Sequence, residues 1–357
     1  MTEIKVVKKD IAGTMPPVAH LGFGEHFTDH MFTMDYNPEK GWHNPLVTPY
    51  NELCIFPAAM VLHYGQAIFE GIKAFRTEDD RVVIFRLKDH LERFNGSADA
   101  LCIPRIDVDV VAEGLKKTIE IDKKWVPGEV GTALYIRPVI IATDPYVGVK
   151  VSDTYKLFII LSPVGAYYAA GFNPVNIKVE DKYVRATLGG LGEAKTPANY
   201  ALSLKAQVEA KKEGFAQVLW LDAVERKYIE EVGTMNIFFK INGEIITPAL
   251  VGSILNGMTR KTVLQLAQSW GLKVSERHIS VDEVFAAHEQ GLLEEVFGTG
   301  TAAVISPVGE LSWKGKKIVI NDNKTGDFSQ KLFDTVTGIQ YGTIEDKFGW
   351  LEEVTKF

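Results

Sequence analysis

The chain is poor in cysteine: among 357 residues there are two, Cys54 and Cys102. They lie far apart and form no CxxC pair, so neither a disulfide framework nor a cysteine zinc site is indicated. No apolar run approaches the roughly 18 residues needed to span a bilayer. The opening MTEIKVVKKDIAGTM has lysines but no apolar stretch behind them, so it does not read as a secretory signal. Excess positive charge is also missing. The 39 Lys and Arg stand against 46 Asp and Glu, a net charge of −7, whereas a general nucleic-acid binder needs basic surface. His26 and His30 would share a helical face, but nothing around them supplies a third ligand, so no metal is expected. The sequence reads as a soluble, cytoplasmic globular protein. It is 46% apolar and 24% charged, which is ordinary, and its length fits roughly two domains.

Apolar periodicity sketches a first half of mixed order. Residues 81–86 (RVVIFR) read as a strand, 87–101 and 110–121 as helices, and 132–142 and 155–162 as buried strands. The stretch 162–174 has two prolines, two glycines and no period, and reads as an interdomain connection. Beyond it, 199–212 predicts a helix and 217–221 a strand. The strand 235–241 turns at Asn242-Gly243 into a partner over 244–247. Helices follow at 259–270 and 281–289. Residues 295–297 lead into a Gly-rich FGTGTA segment, and 317–321 form a late strand. The pattern indicates an α+β protein.

The segment LGGLGEAKTPANY (188–200) concentrates chemistry around Lys195. It nearly fits a phosphate loop, GxxxxGK[ST], but Ala194 replaces the second glycine and the preceding YVRAT is short and charged for a buried strand. It also fits a plain glycine turn with a solvated lysine, since lysines are mostly exposed. A third reading is a carbonyl-attacking lysine, because buried lysines shift their pKa readily. A pyridoxal phosphate enzyme would need such a lysine, a carboxylate for the ring nitrogen, a donor for the ring oxygen and an anion pocket. Glu230 and Glu231, at the end of a strand, are candidate carboxylates. LNGMT (255–259) precedes a helix that Thr259 would cap, leaving N–H groups for an anion. GTGTA (298–302) follows a strand, and its small residues admit close backbone approach. Each piece alone also fits a turn or cap with no ligand.

Taken in order, KxxxNY, EVGTMNIF, LxGMTR and FGTGTA, preceded by LHYGQAIFEGIKAF (62–75), VIFRLKDHLERF (83–94), LYIRP (134–138) and VGAYY (164–168), resemble the branched-chain amino-acid aminotransferases. These are fold-type-IV pyridoxal 5'-phosphate enzymes, and the resemblance spans nearly the whole chain. It implies a two-domain α+β fold: a smaller N-terminal domain (1–168), a loop (169–174) and a larger cofactor domain (175–357). It implies a homodimer with the site near the interface. Leucine, isoleucine or valine would pass its amino group to 2-oxoglutarate. The alternatives within the fold are a D-amino acid aminotransferase and an aminodeoxychorismate lyase.

The roles implied by the resemblance fall residue by residue. Lys195 matches the Schiff-base lysine, Tyr200 the tyrosine on the ring oxygen, Glu231 rather than Glu230 the carboxylate at the pyridine nitrogen, and Arg86 the phosphate arginine. Leu255, Met258 and Thr259, with Gly300, Thr301 and Ala302, match the phosphate and substrate-carboxylate contributors. Tyr64, Phe69, Tyr135, Arg137 and Tyr167 match the substrate pocket. Two departures stand out. Pro197-Ala198 replaces the usual Gly-Gly between lysine and Asn-Tyr, which a first helical turn tolerates. Ala303 and Ser306 replace a CxxC pair of mammalian members, so that redox switch is expected to be absent.

Overall fold

The apolar runs that mark buried strands assemble into two sheets. A computed structural model describes residues 3–165 and 172–357, and the chain forms two contact units. One holds the described residues up to 165 together with Ala194–Pro197 and Gly338–Phe357; the other holds 172–193 and Ala198–Thr337.

The first unit begins with β1 (Lys5–Val6), β2 (His30–Asn37) and β3 (Gly41–Pro49). Then come α1 (Met60–Tyr64), β4 (Ala67–Phe69), β5 (Ile72–Arg76) and β6 (Arg81–Phe85). Helices α2 (Leu87–Ala100) and α3 (Val108–Ile121) precede β7 (Ala133–Ala142) and β8 (Tyr155–Val164). The β2–β3 hairpin was not foreseen, because its polar HMFTMDYN strand hides the period; here it is held between β3 and β8. Helix α3 starts at Val108, before the expected residue 110. The Asp107 carboxylate caps it by accepting from the N–H groups of Asp109 (3.0 Å) and Val110 (3.2 Å). At Gly114 a Cβ would fall 2.3 Å from the Phe32 ring, so glycine lets α3 lie directly on the sheet. Phe32, Phe94, Leu115 and Ile136 are fully buried in the core behind it.

The second unit contains β9 (Val175–Glu180), α4 (Pro197–Lys212) from Ala198 onward, β10 (Gln217–Leu221), β11 (Ile229–Val232), β12 (Asn236–Ile241) and β13 (Glu244–Thr247). After α5 (Met258–Ser269) come β14 (Val274–Glu276), α6 (Val281–Glu289), β15 (Leu293–Gly300), β16 (Val304–Trp313), β17 (Lys316–Val319) and α7 (Asp327–Gln340). Its sheet runs β11-β10-β9-β16-β15-β12-β13-β14, with β17 beside β16. Ile237, Phe239, Val284 and Leu311 are fully buried in its core.

Three expectations are corrected. The connection was placed at 162–174, yet Ser162, Pro163 and Val164 belong to β8, paired with Tyr135, Leu134 and Ala133; residues 166–171, including the candidate Tyr167, lie outside the described residues. FGTGTA was expected to turn after a strand ending near 297. Instead β15 continues through Gly300, because Thr299 pairs with both Asn236 and Ile305. The final segment was assigned to the cofactor domain. A last strand, β18 (Leu351–Lys356), instead pairs with β6 and completes the first sheet, β1-β3-β2-β8-β7-β5-β6-β18, with β4 beside β7.

Candidate active site

In the first unit, Lys195 is fastened by its backbone. Its N–H donates to Ser97 Oγ of α2 (2.9 Å), and its carbonyl accepts from the Phe69 N–H of β4 (3.0 Å). The neighbouring Thr196 hydroxyl donates to the Ala67 carbonyl (2.9 Å). The Lys195 ammonium stands 4.9 Å from the Phe69 ring centroid, a cation–π distance. Helix α2 therefore carries the serine that holds the lysine and, at its N-cap, Arg86. The Arg86 backbone takes a left-handed φ of 56°, which is unusual for a bulky residue and typical of functional positions. Its N–H donates to the Trp350 carbonyl (2.6 Å), its Nε lies 2.6 Å from Asp89 Oδ2, and its guanidinium faces the Trp350 ring at 5.2 Å.

The residue after Phe69 was missed from sequence. Glu70 is fully buried and accepts from His90 Nδ1 (3.0 Å), Arg93 Nε (2.7 Å) and Arg93 Nη2 (2.8 Å). Burial alone would raise the Glu70 carboxyl, but Arg93 and His90 hold it well below the ordinary carboxylate range. Burial pushes the His90 imidazole down despite Glu70 beside it, and the Lys195 charge adds to that. This buried trio ties α2 to the β4–β5 corner. A lone acid inside FEGIKAF gives no sequence signal of such a role.

Arg137 and Tyr135 form a corner on β7. Arg137 Nη2 donates to the Tyr135 hydroxyl (3.0 Å), and its guanidinium faces the Phe69 ring at 4.8 Å. Phe23, also unforeseen, packs on Tyr135 at 5.0 Å. Among the described residues no ion pair joins Arg137 to a carboxylate, and its Nε is buried without a hydrogen-bond partner. Gly71 gives the Tyr135 hydroxyl its room, since a Cβ there would stand 2.1 Å from it. Tyr64 is exposed, and its hydroxyl donates to the Val147 carbonyl. Among the described residues no hydrogen bond or ring contact joins it to Phe69, Tyr135 or Arg137.

In the second unit, Glu231 is 3% exposed. Its Oε1 accepts the Leu255 N–H (2.8 Å), and its Oε2 lies 3.2 Å from Arg185 Nε, close enough for an ion pair though not aligned as a hydrogen bond. Arg185 also donates through Nη2 to the carbonyls of Gly192 (3.3 Å) and Ser253. It thus joins the glycine turn, the 253–255 loop and Glu231. Gly192 must be glycine, because a Cβ there would meet Ser253 backbone at 2.3 Å. Arg185 was missed because it sits in YVRAT, which reads as a failed strand. In the structure residues 183–187 form no strand, which also removes the phosphate-loop alternative, since that loop must follow one. Pro197 opens α4, where a missing N–H is harmless. Asn199 Nδ2 donates to the Leu191 carbonyl (2.7 Å), and Tyr200 follows, half-buried.

Thr259 does not cap α5. The N-cap is Gly257, with no side-chain cap, and Met258 and Thr259 are the first two helical residues. The first-turn N–H groups have no acceptor within the helix, and the helix dipole favours an anion there. A Cβ on Gly257 would fall 2.0 Å from Asn236 Oδ1, and Asn236 Nδ2 donates to the Leu255 carbonyl (2.8 Å). Beside Gly300, the Thr299 hydroxyl is buried without a hydrogen-bond partner. Thr301 and Ala302 form the half-exposed turn between β15 and β16. A buried, pre-oriented carboxylate, an uncapped helix start and an orphaned hydroxyl fit a ligand with a basic ring nitrogen and a phosphate.

Comparison with known proteins accords with this donor set. The family described as Amino-transferase class IV matches residues 67–311. Branched-chain-amino-acid aminotransferase 2 of Bacillus subtilis is 60% identical over 339 residues, covering 95% of this chain and 93% of that protein. The crystal structure of the Escherichia coli branched-chain amino acid aminotransferase superposes with a TM-score of 0.76 at 27% identity, covering 92% of this chain and 99% of that one. The T.th. branched-chain amino acid aminotransferase complexed with N-(5'-phosphopyridoxyl)-L-glutamate gives 0.75 at 26% identity, covering 92% and 100%. The chain belongs to the class IV aminotransferases and, within them, to the branched-chain-amino-acid aminotransferases.

Proposed function

We propose that the protein is a pyridoxal 5'-phosphate transaminase that moves the amino group of leucine, isoleucine or valine reversibly to 2-oxoglutarate. The observation that carries this reading is Glu231, a buried carboxylate fixed by Arg185 and the Leu255 N–H. Such an anion favours a protonated ring nitrogen. When bound, the cofactor supplies a conjugated electron sink for charge released at the substrate α-carbon.

The chain's own residues divide the remaining work. Lys195 Nζ holds the cofactor and then moves the proton at the substrate Cα. Tyr200 donates to the ring oxygen. Arg86 in the first unit, and the first turn of α5 with Thr259 in the second, supply phosphate donors. Gly300, Thr301 and Ala302 offer backbone to the substrate carboxylate. Phe69 and Tyr135 give an apolar wall, and Arg137 a charge for the distal carboxylate of glutamate.

We also place the enzyme in the cytoplasm as a homodimer. Among the described residues no helix is long and apolar enough to cross a membrane. An apolar patch on the first unit favours a second copy as its cover. Phe56, Leu62, Val147 and Val149 are all exposed, and their segments adjoin through the Met60 N–H to the Asp144 carbonyl (2.9 Å) and Tyr64 to Val147. Leu62→Glu should therefore yield monomer by light scattering.

Purified protein loaded with cofactor should turn over leucine, isoleucine and valine against 2-oxoglutarate, with aspartate slower. D-alanine as the preferred donor would assign it to the D-amino acid branch instead.

A further inference from the structure

Glu230 precedes Glu231 on β11, and the activity above leaves it unused. It is 4% exposed, and its Oε1 accepts from the Ser253 hydroxyl. Its Oε2 is buried with no hydrogen-bond partner. Successive strand side chains face opposite ways. Glu230 lines a cavity of about 390 Å³ whose lining includes neither Glu231 nor Thr259.

The walls of this cavity are largely apolar, with Ile229, Pro248, Val251 and Ile254 prominent. Its charged lining is acidic: Asp222, Glu225 and Glu230, with no lysine or arginine. Asp222 is already satisfied. Its Oδ1 accepts from the N–H groups of Lys227 and Tyr228, and its Oδ2 from those of Val224 and Glu225. Those four donors hold it below the ordinary carboxylate range although burial opposes them. His278 lies edge-on to the Tyr228 ring at 5.0 Å. Glu225 is exposed to solvent, so Glu230 is the buried lining acid with an acceptor to spare. Burial, with Glu231 and Asp222 adding to it, raises its carboxyl, so a cation placed beside it relieves an existing electrostatic cost. Among the described residues no three acidic, histidine or cysteine groups converge as a metal site, which favours an organic cation over a bare ion. The volume suits a small ligand with an apolar body.

We propose that this cavity binds a small aliphatic ammonium, its N–H donating to Glu230 and its alkyl body lying on the apolar wall. Occupancy bears on the cofactor side through few bonds. Glu230 holds the Ser253 hydroxyl, and the Ser253 carbonyl accepts from Arg185, the partner of Glu231.

The test uses the holoenzyme and N,N-dimethyl-3-methylbutylamine. This tertiary amine keeps one N–H donor when protonated and cannot form an imine with the cofactor. Titration calorimetry should give saturable one-site binding tighter than about 1 mM. Glu230→Gln should weaken it at least about ten-fold, and so should Ala249→Phe, which fills the cavity without touching the carboxylate. The neutral 3-methylbutan-1-ol should not compete. Absence of saturable binding to the wild type, or equal affinity in either variant, overturns the proposal. If Glu230→Gln does not fold, Ala249→Phe decides alone.

Discussion

Arg185 Nε lies 3.2 Å from Glu231 Oε2, and both side chains are almost fully buried. A buried anion holds its position only if something opposes its charge, and Arg185 does so while its other nitrogen grips two backbone carbonyls.

Arg185→Met should therefore act through Glu231. Breaking one side of a buried pair costs about 3–5 kcal/mol. The melting temperature should fall, cofactor should dissociate more readily by equilibrium dialysis, and Arg185→Lys should restore part of both. With Glu231→Gln, a double-mutant cycle on unfolding should show coupling above about 1 kcal/mol. Additive losses would mean that Arg185 braces only the loops.

Lys195→Ala should abolish turnover and leave the fold in place. The backbone bonds to Ser97 and Phe69 do not involve the side chain. Borohydride reduction of the wild-type holoenzyme should attach cofactor mass to the peptide holding Lys195. A label on another lysine, such as the buried Lys73, would reassign the chemistry.

Arg137→Met should separate the two half-reactions. Leucine has no distal charge and should lose only packing against the arginine stem. Glutamate should lose a charge-assisted bond, about 2–5 kcal/mol, or roughly thirty-fold and more in single-turnover rate. Equal losses in both half-reactions, with a lowered melting temperature, would make Arg137 a structural residue resting on Phe69 and Tyr135.

Lys73 predicts a pH dependence. Burial pushes its ammonium down to about 8. Between that value and the ordinary 10.5 the unfolded chain binds a proton that the folded chain lacks, so this residue adds stability as pH rises through that window. The slope approaches at most about 1.4 kcal/mol per pH unit. Urea unfolding from about pH 7 to about pH 10.5 should show Lys73→Met losing this rise relative to the wild type. Parallel curves would mean that Lys73 keeps its charge when folded.

The parts of the site legible in the sequence were those whose chemistry has a local pattern. Lys195 stands between a glycine turn and a helix start, and Arg86 stands at a strand–helix junction. The supporting residues Arg185, Ser97, Glu70 and Phe23 are distant in sequence from the groups they hold, so no spacing announces them. Thr259 was misplaced as a cap because a glycine with suitable φ and ψ serves as well at that position. FGTGTA looked like a turn from its first glycine because glycine weakens strand propensity, yet ladders on both sides keep residues 297–300 extended and leave only Thr301 and Ala302 to turn.

The pairing of β18 with β6 carries a consequence for biosynthesis. Leu351 lies opposite Phe85 and Lys356 opposite Arg81, so the first sheet waits for a strand made more than two hundred residues later. At ordinary ribosomal speeds that delay is on the order of tens of seconds. During it the β6 edge, next to the strained Arg86, is open to a chaperone or to a wrong partner strand. The continuous stretch Ala198–Thr337 has no such dependence on late sequence. Nascent chains stalled before residue 351 should thus expose an unpaired edge in their first-made unit while their second-made unit is already protected.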